Sequence, residues 1–125
     1  MTNEYNEIVM DHFSNPRNVG ESAKKDGVGV VTSPVCGDTT HIFLDVEDGI
    51  IKDIKFKTFG CAAAIASSSM LTEVAKGMSI EDAKKLTKEE IAEKLGGLPE
   101  AKVHCSLLAV DAMLEAIKDY EAKAE

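Results

Sequence analysis

Five residues of this chain are the main candidates to bind a metal ion or to attack another molecule: Cys36, Asp38, Cys61, His104 and Cys105. The three cysteines cannot form a closed set of disulfides, because their number is odd. They are also too far apart in the sequence for the C-x-x-C pairs of a zinc finger or zinc ribbon. The residue types alone therefore leave open a metal site, a catalytic thiol or inert buried thiols.

The hydrophobic periodicity predicts one sheet of three strands with helices around it. In chain order, a helix is predicted at about 3–13, strands at about 28–31, 41–47 and 50–59, and helices at about 62–76, 80–86, 88–95 and 103–122. Asp48 and Gly49 are typical of a tight hairpin turn between the last two strands. Strands followed by helices indicate an α+β fold, a three-stranded antiparallel sheet with helices packed mainly on one face. We expect residues 1–125 to form a single domain.

Alternation and helical spacing also predict which side chains face the core. On the second and third strands, the predicted core residues are Ile42, Leu44, Val46, Ile50, Ile54 and Phe56. On the last helix, they are Val103, Leu107, Val110, Leu114 and Ile117. Helix ends are indicated by capping patterns. These are Ser79 with Asp82, Thr87 with Glu90, and a helix stop at Gly77.

The five candidate residues all fall at the ends of predicted elements, where a rigid scaffold presents functional groups. Cys36 and Asp38 lie in the turn between the first two strands, Cys61 lies at a strand-to-helix junction, and His104 and Cys105 lie at the start of the last helix. The N-terminus of a helix favours anionic groups such as thiolates. A glycine follows the first cysteine and another precedes the second, and glycine permits a positive φ or a close approach of the backbone to another group.

Of the possible kinds of metal site, an iron–sulfur cluster fits the number of thiols best. A two-iron or four-iron cluster takes four protein ligands, mainly thiolates. Three cysteines leave the fourth position to Asp38 or His104. A carboxylate is a harder ligand than a thiolate and holds a soft cluster less firmly. This ligand set suits a protein that assembles and releases a cluster better than it suits a permanent electron carrier.

Five segments of the chain, in this order and spacing, resemble the IscU/NifU-N family of iron–sulfur cluster assembly scaffolds. They are Asn15-Pro16-Arg17-Asn18-Val19-Gly20, Cys36-Gly37-Asp38, Phe56-Lys57-Thr58-Phe59-Gly60-Cys61, Ala64-Ile65-Ala66-Ser67-Ser68-Ser69 and His104-Cys105-Ser106. The resemblance covers nearly the whole chain. His104 is present and the stretch between the second and third cysteines is short, which is similar to the IscU branch rather than the SufU branch.

The resemblance implies a role for each of the five candidate residues. A scaffold of this family receives sulfur as a persulfide from a cysteine desulfurase and takes up iron. It then builds a transient [2Fe–2S] cluster, with an electron donor such as ferredoxin, and passes the cluster to apo-proteins. By this resemblance, Cys105 accepts the persulfide, Cys36 and Cys61 are cluster ligands, Asp38 favours release, and His104 is an alternative ligand. The family also implies that the same residues bind zinc in the cluster-free form.

One segment departs from the family pattern. Members that use a dedicated Hsp70-type chaperone carry Leu-Pro-Pro-Val-Lys before the His-Cys pair, whereas this chain has Leu98-Pro99-Glu100-Ala101-Lys102. An acidic residue suits an apolar peptide groove poorly. This segment therefore does not support a partnership with that chaperone, and the sequence leaves open whether a dedicated chaperone is used.

The composition argues against several other classes of function. A formal net charge of −8 argues against binding to nucleic acid or to an anionic membrane surface. No apolar run approaches the ~18–20 residues of a membrane span, and the first residues lack the pattern of a secretory signal. We therefore expect a cytoplasmic protein. The resemblance implies a scaffold and not an enzyme, and the sequence leaves open whether the chain forms a homo-oligomer.

Two other functions would use the same residues. The first is a structural or regulatory zinc-binding module. The second is a thiol enzyme in which Cys105 is the nucleophile and His104 is the base. Because adjacent helical residues point about 100° apart, that dyad is geometrically awkward, and we rank the enzyme last.

Overall fold

The computed structural model describes residues 6–33, 37–98 and 103–123, and for residues 103 and 104 it describes the backbone alone. The elements in chain order are α1 (Glu7–Ser14), β1 (Gly27–Thr32), β2 (Thr39–Glu47), β3 (Ile50–Phe59), α2 (Ala62–Ala75), α3 (Ile80–Ala83), α4 (Lys88–Lys94) and α5 (Val103–Lys123). The strands form one antiparallel sheet in the order β1-β2-β3. The predicted α+β fold is confirmed. None of the helices in the described part of the chain has the length and hydropathy required to cross a bilayer.

The turn between β2 and β3 has the conformation that its sequence predicts. Asp48 and Gly49 have φ values of 55° and 74°, as in a type I′ turn. Beyond the turn, Ile42 lies directly opposite Phe56, and both side chains are buried. The hairpin therefore presents one apolar face to the helices.

The register of this hairpin changes once along its length. Asp45 pairs with Asp53 but Val46 pairs with Ile51, so β3 has one extra residue between these pairs. A bulge of this kind shifts the alternation of side chains between the two faces. The prediction that Ile50 faces the core is therefore wrong, because Ile51 is fully buried and Ile50 is only partly buried.

α5 packs directly against the backbone of β1. Gly27 and Gly29 lie under the helix, and a Cβ atom at Gly29 would overlap the carbonyl oxygen of Ala112. The helix also contacts β2, α2 and α4, so its buried face is broader than the predicted stripe. The prediction for Leu107 is wrong, because this side chain is 38 % exposed while its neighbour Leu108 is buried.

The segment before β1 covers the free edge of β3. The backbone N–H of Phe56 donates to the carbonyl of Asn18, and the N–H of Gly20 donates to the carbonyl of Phe56, both at 2.9 Å. Further along, the N–H groups of Lys24 and Lys25 donate to the carboxylate of Asp45 at 3.0 and 2.9 Å. This segment is thereby held against both the edge and the outer face of the sheet.

The predicted helix caps are present. The Ser79 hydroxyl accepts the N–H of Asp82 at 3.1 Å, and the Thr87 hydroxyl accepts the N–H of Glu90 at 3.2 Å. Gly77 follows the end of α2 with a φ of 89°, the left-handed conformation that commonly ends a helix. These short-range signals fix where α2, α3 and α4 start or stop.

Candidate metal centre

Asp38, Cys61 and Cys105 come together at one end of the sheet. One ligand atom from each residue, a carboxylate oxygen and two sulfurs, lies within 4.8 Å of the others. The two Sγ atoms are 3.6 Å apart. Two thiolates bonded at about 2.3 Å to one tetrahedral ion would lie about 3.8 Å apart, so this spacing fits a shared metal ion.

Three different elements bring these side chains together. Asp38 immediately precedes β2, Cys61 is the N-cap residue of α2, and Cys105 lies in the first turn of α5. Cys61 has an extended backbone, with φ and ψ of −75° and 170°, and the alanine-rich stretch that follows has high helix propensity. The strand therefore changes to a helix at Cys61.

Backbone hydrogen bonds close the turn that carries Asp38. The N–H of Ser33 donates to the carbonyl of Asp38 at 2.7 Å, and the N–H of Gly37 donates to the carbonyl of Ser33 at 2.9 Å. Gly37 has a φ of 75°, which residues with a Cβ atom rarely adopt. The turn therefore requires glycine, and it holds the Asp38 side chain in a nearly buried position, 9 % exposed.

The Asp38 carboxylate lies over the start of α2. Its Oδ2 atom accepts the backbone N–H of Cys61 at 3.4 Å. The Cys61 side chain itself makes no capping hydrogen bond, and the first N–H groups of a helix have no partner within the helix. Asp38 therefore supplies an acceptor at the N-terminus of α2.

The two thiols differ in exposure. Cys105 is 2 % exposed and packs with Ala63 and Ala64, whereas Cys61 is partly exposed at the edge of this small cluster together with Leu98. Neither thiol is part of a disulfide. Of these two thiols, Cys61 is therefore the one that is accessible to solvent.

A layer of buried hydroxyl groups lies along α2 behind the site. The hydroxyls of Ser67 and Ser106 are 3.3 Å apart, and Thr58 donates to Ser68 at 2.9 Å. Ser106 follows Cys105 directly, so this layer joins α2 to the start of α5. The sequence motif includes these serines without indicating a role for them, although three consecutive serines within an alanine-rich helix could have indicated a buried polar contact.

Of the five site residues predicted from the sequence, three come together in the structure. Cys36 and the side chain of His104 lie outside the described residues. The backbone of His104 belongs to α5, next to Cys105. The roles predicted for all five residues stay predictions.

Comparison with known proteins identifies relatives over nearly the full length. Residues 4–125 match the family model described as NifU-like N terminal domain. "Iron-sulfur cluster assembly scaffold protein IscU 1" of Archaeoglobus fulgidus is 60 % identical over 119 residues, which are 95 % of this chain and 78 % of that protein. "Iron-sulfur cluster assembly scaffold protein IscU" of Haemophilus influenzae is 54 % identical over 123 residues, which are 95 % of this chain and 97 % of that protein.

Solved structures show the same fold. A NifU-like protein (N-terminal) from Brucella abortus aligns with a TM-score of 0.74 at 24 % identity and covers 96 % of both chains. A putative scaffold protein for the SUF system from Fervidobacterium islandicum aligns with a TM-score of 0.70 at 21 % identity, over 90 % of this chain and 96 % of that one. Together with the full-length match to the family model, these findings show that the chain belongs to the family of IscU and NifU-like N-terminal domains.

Proposed function

We propose that this chain is an iron–sulfur cluster assembly scaffold that accepts sulfur and iron, builds a labile [2Fe–2S] cluster and transfers it to apo-proteins. The observation that carries the proposal is the meeting of Asp38, Cys61 and Cys105 from three separate elements. Two soft thiols and one hard carboxylate within reach of one ion suit a cluster that is held and then released. The names of the IscU relatives support the same function.

In this proposal Cys36 is the third thiolate. It lies two residues before Asp38 in the sequence, and the family resemblance implies the role of a cluster ligand for it. Asp38 is the fourth ligand, and His104, next to Cys105 on α5, is the alternative.

The weak position in the ligand set is Asp38. A carboxylate holds a soft cluster less firmly than a thiolate does. Its Oδ2 atom also accepts the N–H of Cys61, which holds the carboxylate in place and leaves its other oxygen for coordination. The hardness of the carboxylate therefore favours cluster release at this ligand.

Cys105 is the proposed persulfide acceptor, and its burial adds a condition to that role. At 2 % exposure, its sulfur cannot meet a persulfide on another protein without local opening. Its neighbours on α2 are alanines and the partly exposed Cys61. We therefore expect the start of α5 to move away from α2 when the sulfur donor binds.

The proposal includes the partners that the chemistry requires. A cysteine desulfurase supplies sulfur, an electron donor such as ferredoxin reduces it, and apo iron–sulfur proteins receive the cluster. The chain itself holds the cluster without acting as an enzyme, works in the cytoplasm, and carries this function in one domain. The segment at 98–102, which differs from the chaperone-binding pattern, favours transfer without a dedicated Hsp70-type chaperone.

Anaerobic reconstitution tests the proposal. Incubation with ferrous iron, cysteine and a cysteine desulfurase should give a brown protein with charge-transfer absorption in the visible range. Cys61→Ser and Cys105→Ser should lose most of this absorption, while Val30→Ala, on the exposed face of β1, should keep it. A wild-type protein that stays colourless and retains only zinc would contradict the scaffold function and support the zinc-binding module.

A second experiment tests the role of the carboxylate. Asp38→Ala should slow the transfer of the reconstituted cluster to an apo-ferredoxin, because the exchangeable ligand is lost. The transfer is followed by the visible circular dichroism of the recipient. Unchanged or faster transfer would contradict the role of Asp38 as the labile ligand.

A further inference from the structure

Gly60 lies between the end of β3 and the N-cap residue of α2, directly beside the candidate metal centre. Unlike Gly37 and Gly77, it does not have a positive φ. Its backbone conformation would therefore accept alanine without strain. The reason for glycine at this position must lie in the space around it.

That space is occupied by Asp38. A Cβ atom built on Gly60 would lie 2.5 Å from Cγ, 2.7 Å from Oδ2 and 2.8 Å from Cβ of Asp38. All three distances are well below van der Waals contact. Rotation of the carboxylate could relieve the first two contacts but not the third, because Cβ is fixed to the backbone.

The backbone of Asp38 has little freedom to move away. Its carbonyl accepts the N–H of Ser33, and the adjacent Gly37 donates to the carbonyl of Ser33. On its other side, Thr39 is the first residue of β2 and pairs with Phe59 of β3. A side chain at position 60 would therefore push the carboxylate away from the sulfurs or separate the turn from the sheet.

We propose that Gly60 is a positioning residue that leaves room for the Asp38 carboxylate to reach both the N–H of Cys61 and the metal centre. The inference rests on the proposed function only in taking Asp38 as a ligand. Gly60 itself touches neither metal nor sulfur in this role. It acts only by allowing the Asp38 carboxylate to take its position.

A double-mutant cycle with Co²⁺ as the probe tests this inference. Dissociation constants are measured for the wild-type protein, Gly60→Ala, Asp38→Ala and the double variant. Gly60→Ala should bind Co²⁺ about tenfold more weakly, as is typical when a group that orients a metal ligand is altered. Asp38→Ala, which removes the ligand itself, should weaken binding by at least as much. In the double variant, Gly60→Ala should change the affinity by less than about twofold, because the added methyl group then meets no carboxylate.

Gly49→Ala is the matched control. Gly49 has a positive φ and no atom within 4 Å of an added Cβ, and it lies in the β2–β3 turn away from the centre. This variant should unfold at a lower temperature through backbone strain yet bind Co²⁺ like the wild type. The control thereby separates a loss of stability from displacement of the carboxylate.

The backbone amide of Cys61 provides a readout that needs no metal. In ¹H–¹⁵N spectra, Asp38→Ala should shift this amide because its acceptor is lost. Gly60→Ala should shift it in the same direction, by more than the effect of changing the preceding residue, which is measured as the shift that Gly60→Ala causes in the Asp38→Ala background. Wild-type protein that binds no Co²⁺ would count against the proposed function, and the amide shifts would then decide the positioning role alone. The inference would be overturned if the effect of Gly60→Ala on Co²⁺ affinity or on this amide persisted unchanged in the Asp38→Ala background. It would also be overturned if Gly60→Ala did not shift the amide at all.

Discussion

The Nδ1 atom of His12 lies 2.7 Å from the hydroxyl oxygen of Ser69, and the same oxygen accepts the backbone N–H of Arg17 at 2.9 Å. His12 belongs to α1 and Ser69 to α2, and both side chains are buried. Arg17 begins the segment that pairs along the edge of β3. One hydroxyl group therefore joins α1, α2 and the segment that covers the sheet.

We expect Ser69→Ala to lower the free energy of unfolding by about 1–3 kcal/mol, because the N–H of Arg17 and the imidazole of His12 lose their common partner. Urea denaturation measures the change. Ser14→Ala, at an exposed position at the end of α1, is the control and should stay within about 0.5 kcal/mol of the wild type. Equal stability of the two variants would show that the buried hydroxyl contributes nothing.

Stability should also depend on pH through His12. Burial, with a further contribution from the Arg17 charge, lowers the pKa of His12 below its ordinary value of 6.5. The unfolded chain therefore binds a proton more readily than the folded chain, and the free energy of unfolding should fall as the pH drops below about 6.5. The loss should continue until the pH reaches the folded-state pKa.

The measurement compares urea denaturation at about pH 7.5 and 5.5, above the range in which ordinary carboxylates titrate. His12→Asn keeps a polar group near Ser69 and removes the titration. It should therefore show a smaller loss of stability between the two pH values. A wild-type protein that is equally stable at both would contradict the lowered pKa.

The contact between β1 and α5 leads to a third prediction. Gly29→Ala should destabilise the protein by more than about 3 kcal/mol, at the upper end of the cost of overpacking. The atoms that the added methyl group would contact belong to the backbone of Ala112 and Ala116. Backbone atoms within a helix cannot rotate away as a flexible side chain can. Thermal unfolding is the measurement, and Val30→Ala on the exposed face of the same strand should cost less than about 1 kcal/mol.

Asp45 should stabilise the segment before β1. Its Oδ1 atom accepts two backbone N–H groups, from Lys24 and Lys25. Asp45→Ala leaves both donors without this acceptor and should cost about 1–3 kcal/mol in urea denaturation. Faster amide hydrogen exchange at these two lysines should accompany the loss. Glu47→Ala, at the exposed end of β2, should change neither quantity.

Metal binding should stabilise the fold, because the ligand atoms of Asp38, Cys61 and Cys105 meet only in the folded chain. Free Zn²⁺ at 100 times its dissociation constant should add about 2.7 kcal/mol to the free energy of unfolding. For a domain of this size that corresponds to a rise in Tm of roughly 10 °C. In the double variant Cys61→Ser and Cys105→Ser, most of this rise in Tm should disappear. If Zn²⁺ raised the Tm of the double variant as much as that of the wild type, the metal would bind elsewhere.

The sequence predicts the elements well because their ends carry strong local signals. Asp48-Gly49 for the hairpin and Ser79 for the start of α3 act over only a few residues, and such signals need no knowledge of the fold. The bulge in β3 depends instead on how two strands pair. The broad buried face of α5, which leaves Leu107 exposed, depends on simultaneous packing against the sheet and two helices.

The candidate site also has some features that local sequence signals predict and others that depend on the folded chain. Residue type and position at element ends are sufficient to indicate Cys61 and Cys105 as candidate site residues, and the structure brings them together. The contact of Gly60 with Asp38 joins residues that are far apart in the sequence, and a glycine at a strand end is more often a turn residue. Only the folded geometry distinguishes a glycine that turns the chain from one that leaves space for a neighbour.

The close contact between β1 and α5 has a consequence for synthesis of the protein. A ribosome makes β1 long before α5, so the glycine-lined surface of β1 stays open to water while about 70 residues are added between them. Cys61 is synthesised within this interval, whereas Cys105 follows it. The two thiols of the candidate centre can therefore come together only after α5 has been translated and has docked.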